Sequence, residues 1–483
     1  MNKIKSNFFY QTLYQILSMI LPLITSPILS RALGANGLGV YSYTTTILNY
    51  FVLIANLGIY RYGIRCIASA GDDKIERSKV FWEIFLSHIL ISVVIFGLYI
   101  LFAVNFQGEY LQYYIVLTLM YLGGTLNINW FFFGIEEYKG VAIRDMVIKI
   151  ATFVLIVLCV NNEHDLYTYF IIMAASNFIS NAMYYVMIRG KISRPQVCWC
   201  NMWTHLKHML ILFVPTLLET MYISIDKVIL GSVSDKANVG YYENADKALI
   251  SKTLIYSLTN VMFPRMTYLL ANKEVKEFEK LMNKSIKFVV FASIAFSFGT
   301  AAIAKEFSVV FWGEAFLPCA VLITILAFTI PANTLSRAIR DQYLIPAGLD
   351  KDYIVVMAWG AFCDIILDFV LIPFCGATGA AIATLFTEYL MLFIQIKFVK
   401  RKIDFTKYLN KRNIRVYIFI GLIMLFTCKS IGRMLGMHPY TLVAQIFIGM
   451  MVFMLLCVVY WNKTNDDTML SILKTFGGKN EYK

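Results

Sequence analysis

Apolar runs of about twenty residues, each closed by a short polar break, recur along this chain. Stretches such as 89-ILISVVIFGLYILFAV-104, 150-IATFVLIVLCV-160 and 441-TLVAQIFIGMMVFMLLCVVYW-461 carry no Asp, Glu, Lys, Arg or His. Runs of that length cross a bilayer as helices, because a helix satisfies its own backbone polar groups where water cannot. The pattern predicts an all-α membrane protein with about 14 transmembrane spans, near 8–31, 38–60, 80–104, 111–134, 141–160, 166–188, 209–231, 239–263, 286–310, 316–340, 352–373, 378–399, 414–434 and 440–461. Lys3 and Lys5 precede the first run as in a signal peptide, but the run continues past Pro22 and Pro27 without a small-residue cleavage motif. It reads as an uncleaved first span.

Composition agrees: 59% of the 483 residues are hydrophobic and only 15% charged, with a mean hydropathy of +0.65. The net charge of +13 would suit a nucleic-acid partner, but the basic residues sit in the short breaks, so topogenesis explains them and no nucleic acid is implied. Counted against 14 spans, 34 of the 43 lysines and arginines fall on one side and only Arg31, Lys236, Lys429 and Arg433 on the other. Both termini are then cytoplasmic. The nine cysteines are scattered, mostly in apolar runs, as with Cys159, Cys363 and Cys457. Cys198-Trp199-Cys200 is the one close pair, with His205 and His208 beyond it, and makes a poor metal site without a second pair. Two polar stretches read as amphipathic helices on the inner leaflet: 273-KEVKEFEKLMNKSIKF-288, and 199-WCNMWTHLKHML-210 with Trp199, Trp203, Leu206 and Leu210 on one face.

A loose echo organises the chain. In 33-LGANGLGVYSYTTTI-47, Leu33-Gly34 ends the first span, and Gly39 and Tyr41 open the second; in 230-LGSVSDKANVGYYENADKAL-249, Leu230-Gly231 ends the seventh, and Gly240 and Tyr241 open the eighth. A weaker match pairs 131-FFFGIEEYKGVAIRD-145 with 343-YLIPAGLDKDYIVVM-357. A repeat of six spans keeps its orientation, so the two copies are parallel and related by an axis along the membrane normal. The expected division is an N-lobe over 1–190, a cytoplasmic interfacial connector over 191–208, a C-lobe over 209–400, and two further spans with a cytoplasmic tail over 401–483. Two such lobes, each beginning with a tight glycine turn, enclose a cavity.

Chemistry in that cavity must come from ionisable groups inside spans, which are costly in hydrocarbon and face a partner or a polar lumen. Span five has Arg144, and Asp145 four residues before Lys149; span seven has Glu219, Asp226 and Lys227. Span eight has Glu243, Asp246, Lys247 and Lys252. Glu243 and Lys247 share a helical face and pair, whereas Lys252 lacks an acid at helical spacing on its C-terminal side. Asp364 and Asp368 repel one another on one face of span eleven, so they need a cation from elsewhere or share a proton, and Glu388 lies near the middle of span twelve. Asn49, Asn127, Asn129, Asn177 and Asn181 read as bonds between helices. No phosphate-binding GxxxxGK[ST] and no HExxH occurs; 34-GANGLG-39 follows a membrane helix, and five histidines make no catalytic cluster. Mixed charge on facing walls suits a polar, anionic substrate with a bulky hydrophilic body, such as a phosphorylated glycolipid. Arg31, beside the first turn, suits a phosphate contact.

The stretches 22-PLITSPILSRALGANGLGVYSY-43, 225-IDKVILG-231 with Gly240-Tyr241, Pro264-Arg265 and 373-PFCGATGAAIATLFTE-388 resemble the polysaccharide flippases of the multidrug/oligosaccharidyl-lipid/polysaccharide exporter superfamily. The resemblance implies a V-shaped, alternating-access transporter, not an enzyme, in the bacterial cytoplasmic membrane. Its substrate would be an undecaprenyl-pyrophosphate-linked oligosaccharide, flipped to the outer leaflet for capsule, O-antigen or exopolysaccharide. It implies no cofactor beyond a coupling ion, Na+ or H+, or the membrane potential, and it leaves open whether a polysaccharide polymerase works alongside. Carried over as cavity contacts are Arg31, Asp226, Lys227 and Glu388; Lys247, Lys252, Asp364 and Asp368 join them only through their place inside spans. A cation-coupled multidrug exporter of the same superfamily is the nearest alternative, disfavoured because spans one and two hold no Asp or Glu. A membrane-embedded polysaccharide polymerase would need a larger outer loop than 161-NNEHD-165.

Overall fold

Why the first hundred residues fold as they do is decided at one glycine. In the computed structural model, which describes residues 3–106, 108–193, 199–400, 403–466 and 469, helix α1 runs over Lys3–Asn56 and is broken at Gly34, with φ 66 and ψ −179. That backbone region is open essentially only to glycine. The break turns one 54-residue helix into two arms that coincide with the first two predicted spans. The same device recurs at Gly376 (φ 53, ψ −134) inside α14, Asp350–Val399, between predicted spans eleven and twelve.

The other long elements are α2 (Ile59–Ala70), α3 (Lys74–Phe106), α4 (Leu111–Thr125), α5 (Asn129–Gly134), α6 (Tyr138–Cys159), α7 (Leu166–Met187), α8 (Trp199–Val233), α9 (Lys236–Lys247), α10 (Ser251–Ala271), α11 (Val275–Phe307), α12 (Cys319–Ala327), α13 (Thr329–Ile339), α15 (Lys411–Leu435) and α16 (Pro439–Thr464). No strand occurs among the described residues. Among the described residues, nine helices are long and apolar enough to cross a membrane, or ten with the bent pair Cys319–Ala327 and Thr329–Leu344 as one span. The chain is a multi-pass membrane protein. A total of 14 would need the two glycine-broken helices to cross twice, and α6 and the α9–α10 pair to cross as well.

By packing, the chain forms two compact units, Met1–Gly231 and Ser232–Lys483. The first has an aromatic core in which Phe81 stacks on Trp130 at 5.5 Å and Phe132 on Tyr184 at 5.2 Å, among residues that exclude water almost completely. Its last helix, α8, is held by polar contacts: His205 bonds the Tyr62 hydroxyl at 2.7 Å and Glu83 at 3.1 Å, and the Asn201 amide donates to Glu83 at 3.0 Å. In the second unit α15 and α16 pack on α11. There the Trp461 indole donates to Tyr417 at 2.9 Å, the Gln445 amide donates to the Cys428 carbonyl at 2.9 Å, and Lys287 pairs with Asp466 at 3.1 Å.

Three sequence expectations change. Gly231 is not a turn residue. It is helical, and a Cβ there would lie 2.1 Å from the Tyr43 ring, so it is small for packing, and the conformational counterpart of Gly34 is Gly376. The segment 273–288 does not form a separate interfacial helix; from Val275 it is the first part of α11, with Phe278, Met282 and Ile286 buried in the protein. By contrast, the start of α8 buries Met202 and Met209 and leaves Trp203 and Leu210, on the predicted apolar face, exposed. Arg144, Arg337 and Arg340, counted with the loop cations, stand on helices with side chains 5%, 31% and 18% exposed. Cys198 and the tail from residue 470 lie outside the described residues, as do the side chains of Trp199 and Cys200.

Candidate functional site

In the second unit the ionisable groups form a chain. A short 3-10 turn, Ala248–Ile250, separates α9 from α10. That break lets Lys252 reach back six residues to Asp246, with Nζ 3.2 Å from the carboxylate, a spacing that an unbroken helix would not bring together. Glu388 of α14 and Tyr256 of α10 are close enough to Lys252 to act on it electrostatically. The Tyr256 hydroxyl donates to the Asn333 carbonyl oxygen, and the Asn333 amide donates to Glu388 at 2.6 Å. Arg337, one turn along α13 from Asn333, lies over the Tyr256 ring at 4.2 Å and pairs with Asp341 at 3.3 Å. Asp341 also pairs with Arg340 at 2.7 Å and accepts from the Thr259 hydroxyl at 3.3 Å, and Arg340 donates to the Tyr353 hydroxyl at 3.1 Å.

Such a chain does two things. It satisfies charges that would each cost about 2.5–3.5 kcal/mol if left alone at the centre of a membrane helix. It also holds three cations, Lys252, Arg337 and Arg340, in fixed positions, and a fixed guanidinium or ammonium is suited to phosphate.

The first unit holds a smaller set. Asp145 does not pair with Lys149 as their spacing suggests; it pairs with its neighbour Arg144 at 2.6 Å. Arg144 also lies 3.5 Å over the Tyr184 ring, a geometry in which the guanidinium is attracted by the ring face. Lys149 instead donates to the Ser18 hydroxyl at 2.7 Å and lies over the Tyr14 ring at 4.6 Å. Among the described residues it has no carboxylate partner. Further along, Tyr50 of α1 bonds Ser224 of α8 at 3.1 Å, and Asp226 and Lys227 act on the tyrosine through space.

The residues singled out in the sequence are therefore distributed. Lys252 and Glu388 meet around Asn333 and Tyr256. Lys247 is exposed and pairs with Glu243 at 3.3 Å, as their spacing anticipates. Asp364 and Asp368 are buried one turn apart on α14. Asp226 is buried, Lys227 half-buried and Arg31 exposed. Sequence reasoning missed Tyr256, Asn333, Arg337 and Asp341. The available signal was the four-residue spacing of Arg337 and Asp341, hidden because the two arginines read as the end of a span.

Against this geometry, comparison with known proteins is informative. The family described as Polysaccharide biosynthesis protein matches residues 4–270, more than half of the chain. The chain belongs to that family. Proteins named "Putative O-antigen transporter" are 22% identical over 403 residues in Escherichia coli (strain K12), covering 82% of this chain and 97% of the relative, and 23% identical over 402 residues in Shigella dysenteriae, covering 82% and 100%. Among solved structures, the lipid II flippase MurJ in an inward closed conformation superposes with a TM-score of 0.72 at 15% identity, over 95% of this chain and 99% of that one. An inward-facing multidrug resistance MATE family transporter of the MOP superfamily gives 0.59 at 14% identity, over 81% and 94%. At these identities the structures establish the fold alone, one shared with these two transporters. The resemblance read from the sequence is borne out at the level of family and fold. This chain is thus a multi-pass membrane protein of the polysaccharide biosynthesis family.

Proposed function

We propose that the protein flips a lipid-linked oligosaccharide repeat unit, carried on undecaprenyl pyrophosphate, from the cytoplasmic to the outer leaflet of the bacterial inner membrane. The observation that carries this reading is the chain of fixed cations and carboxylates from Lys252 to Arg340, on helices of an otherwise apolar chain. A drug-sized apolar cargo has no need of such a chain; a pyrophosphate does. The relatives' names point the same way, and the excess of basic residues in the breaks supports cytoplasmic termini. Transport proceeds by alternating access, drawing on an ion gradient or the membrane potential, with Glu388 and the buried Asp364 and Asp368 as the candidate carriers of a coupling Na+ or H+. Arg31, Asp226, Lys227 and Lys247 are candidate contacts of the sugar and pyrophosphate, with Lys149 an added one. A polysaccharide polymerase would receive the flipped unit.

Depletion of the protein, followed by extraction of undecaprenyl-linked sugars, tests the reading. A complete repeat unit should build up on the cytoplasmic face. Build-up on the outer face would move the block to polymerisation, and no build-up would remove lipid-linked sugar as the cargo.

A further inference from the structure

Within the first unit, two helix ends face a helix that runs past them, and a cavity of about 340 Å³ lies where they meet. Helix α1 stops at Asn56, and the chain turns through Leu57 and Gly58, both at positive φ, before α2 begins. Helix α4 stops at Thr125, and the Asn127 side chain accepts from the Asn129 backbone N–H at 2.9 Å to start α5. Helix α8 closes the third side with Glu219. The volume lies at the small end of the range for small-molecule sites, about 300–1,000 Å³.

Its lining is unlike the surrounding apolar helices. Asn56, Asn127 and Asn129 offer amides that both donate and accept; Arg61 donates and Glu219 accepts. Arg61 and Glu219 share the cavity without forming an ion pair, and neither has a side-chain partner among the described residues. Trp130 lines the same space, 1% exposed, and its indole N–H is buried without an acceptor among the described residues.

We propose that this cavity is a sugar-binding pocket that takes one ring of the oligosaccharide head, a deepening that rests on the flippase reading above. Each sugar hydroxyl both donates and accepts, which matches amides and an uncoupled Arg and Glu, while Leu53, Ile59 and Leu212 supply an apolar wall. A cationic drug would require uncompensated acid, and a nucleotide more than one cation. Asn127 and Asn129, read in the sequence as ties between helices, and Glu219 thereby gain a role. In the topology implied by the basic breaks, the pocket lies towards the cytoplasmic side, where the head group would be loaded.

The full-length protein in lipid nanodiscs, titrated with D-glucose, N-acetyl-D-glucosamine and D-glucuronate and followed by saturation-transfer NMR, tests this. At least one sugar should receive saturation on its ring protons. Glu219→Gln, which keeps the shape, and Asn56→Leu should each weaken that signal about tenfold. Neither should change the yield or melting temperature. Absence of saturation for all three sugars, or equal binding by wild type and both variants, overturns the pocket. Cells depleted of the protein separate the two readings: build-up of the lipid-linked unit together with failed sugar binding removes the pocket and keeps the flippase. Sugar binding lost in both variants, with no build-up, keeps the pocket as a sugar site and removes the lipid-linked cargo.

Discussion

Lys252→Leu should lower polymer export by about ten- to a hundredfold, the cost of one charge-assisted contact to a phosphate of about 1.5–3 kcal/mol. Lys252 is paired with Asp246 and sits within the field of Glu388, so its removal also takes a cation away from two carboxylates. Loss of one member of a buried pair destabilises far more than replacement of both, although here Lys252 and Asp246 are 27% and 47% exposed and solvent moderates the effect. The double variant Asp246→Leu/Lys252→Leu separates the two consequences. The amount of protein in the membrane should return towards wild type, while export, read as surface polymer per molecule of protein, should stay low. If the double variant recovers export along with abundance, the lysine is a structural tie and the phosphate role falls.

The other large effect is expected at Gly34. Gly34→Val places a β-branched residue at φ 66 and ψ −179, a conformation that costs about 1–3 kcal/mol outside glycine. The new Cβ would also lie 3.4 Å from the Glu163 carboxylate. The first two arms of the chain depend on that break, so the variant should be lost from the membrane fraction, as measured by immunoblot. Gly37→Ala, three residues on in ordinary helix, should lose at most about 1 kcal/mol, because the ring of contacts there is side chain only. Equal abundance of Gly34→Val and wild type would mean the break is not needed.

How much of this was legible in the chain depends on the length of the pattern read. Apolar runs of span length are unambiguous, and every predicted span coincides with helix. The glycine breaks were half legible: Gly34 stood out because it opens a recognisable turn, whereas Gly376 was hidden in 373-PFCGATGAA-381, where small residues surround it. The echo between Gly34 and Gly231 misled, since a glycine can be small for a neighbouring ring as readily as for its backbone, and Tyr43, whose ring Gly231 accommodates, lies 188 positions before it. Charge pairing followed the same rule. Glu243 and Lys247 met at four residues as helical spacing demands, but Asp246 and Lys252 met across a 3-10 turn that no periodicity reveals. Asp145 preferred Arg144, its immediate neighbour, to Lys149. Contacts between distant helices, such as Asn333 to Glu388, have no local signature at all.

The proposed flippase moves a lipid-linked oligosaccharide across a bilayer. Purified protein in liposomes that carry an undecaprenyl-pyrophosphate oligosaccharide on both leaflets, with the outer pool marked by a membrane-impermeant periodate reaction, measures it directly. Flipping predicts that the protected inner pool becomes reactive in protein-containing vesicles, faster when an ion gradient or potential is imposed, and stays protected in empty vesicles and in those with Lys252→Leu. An inner pool that stays protected in the presence of folded wild-type protein, under every imposed gradient, would contradict it.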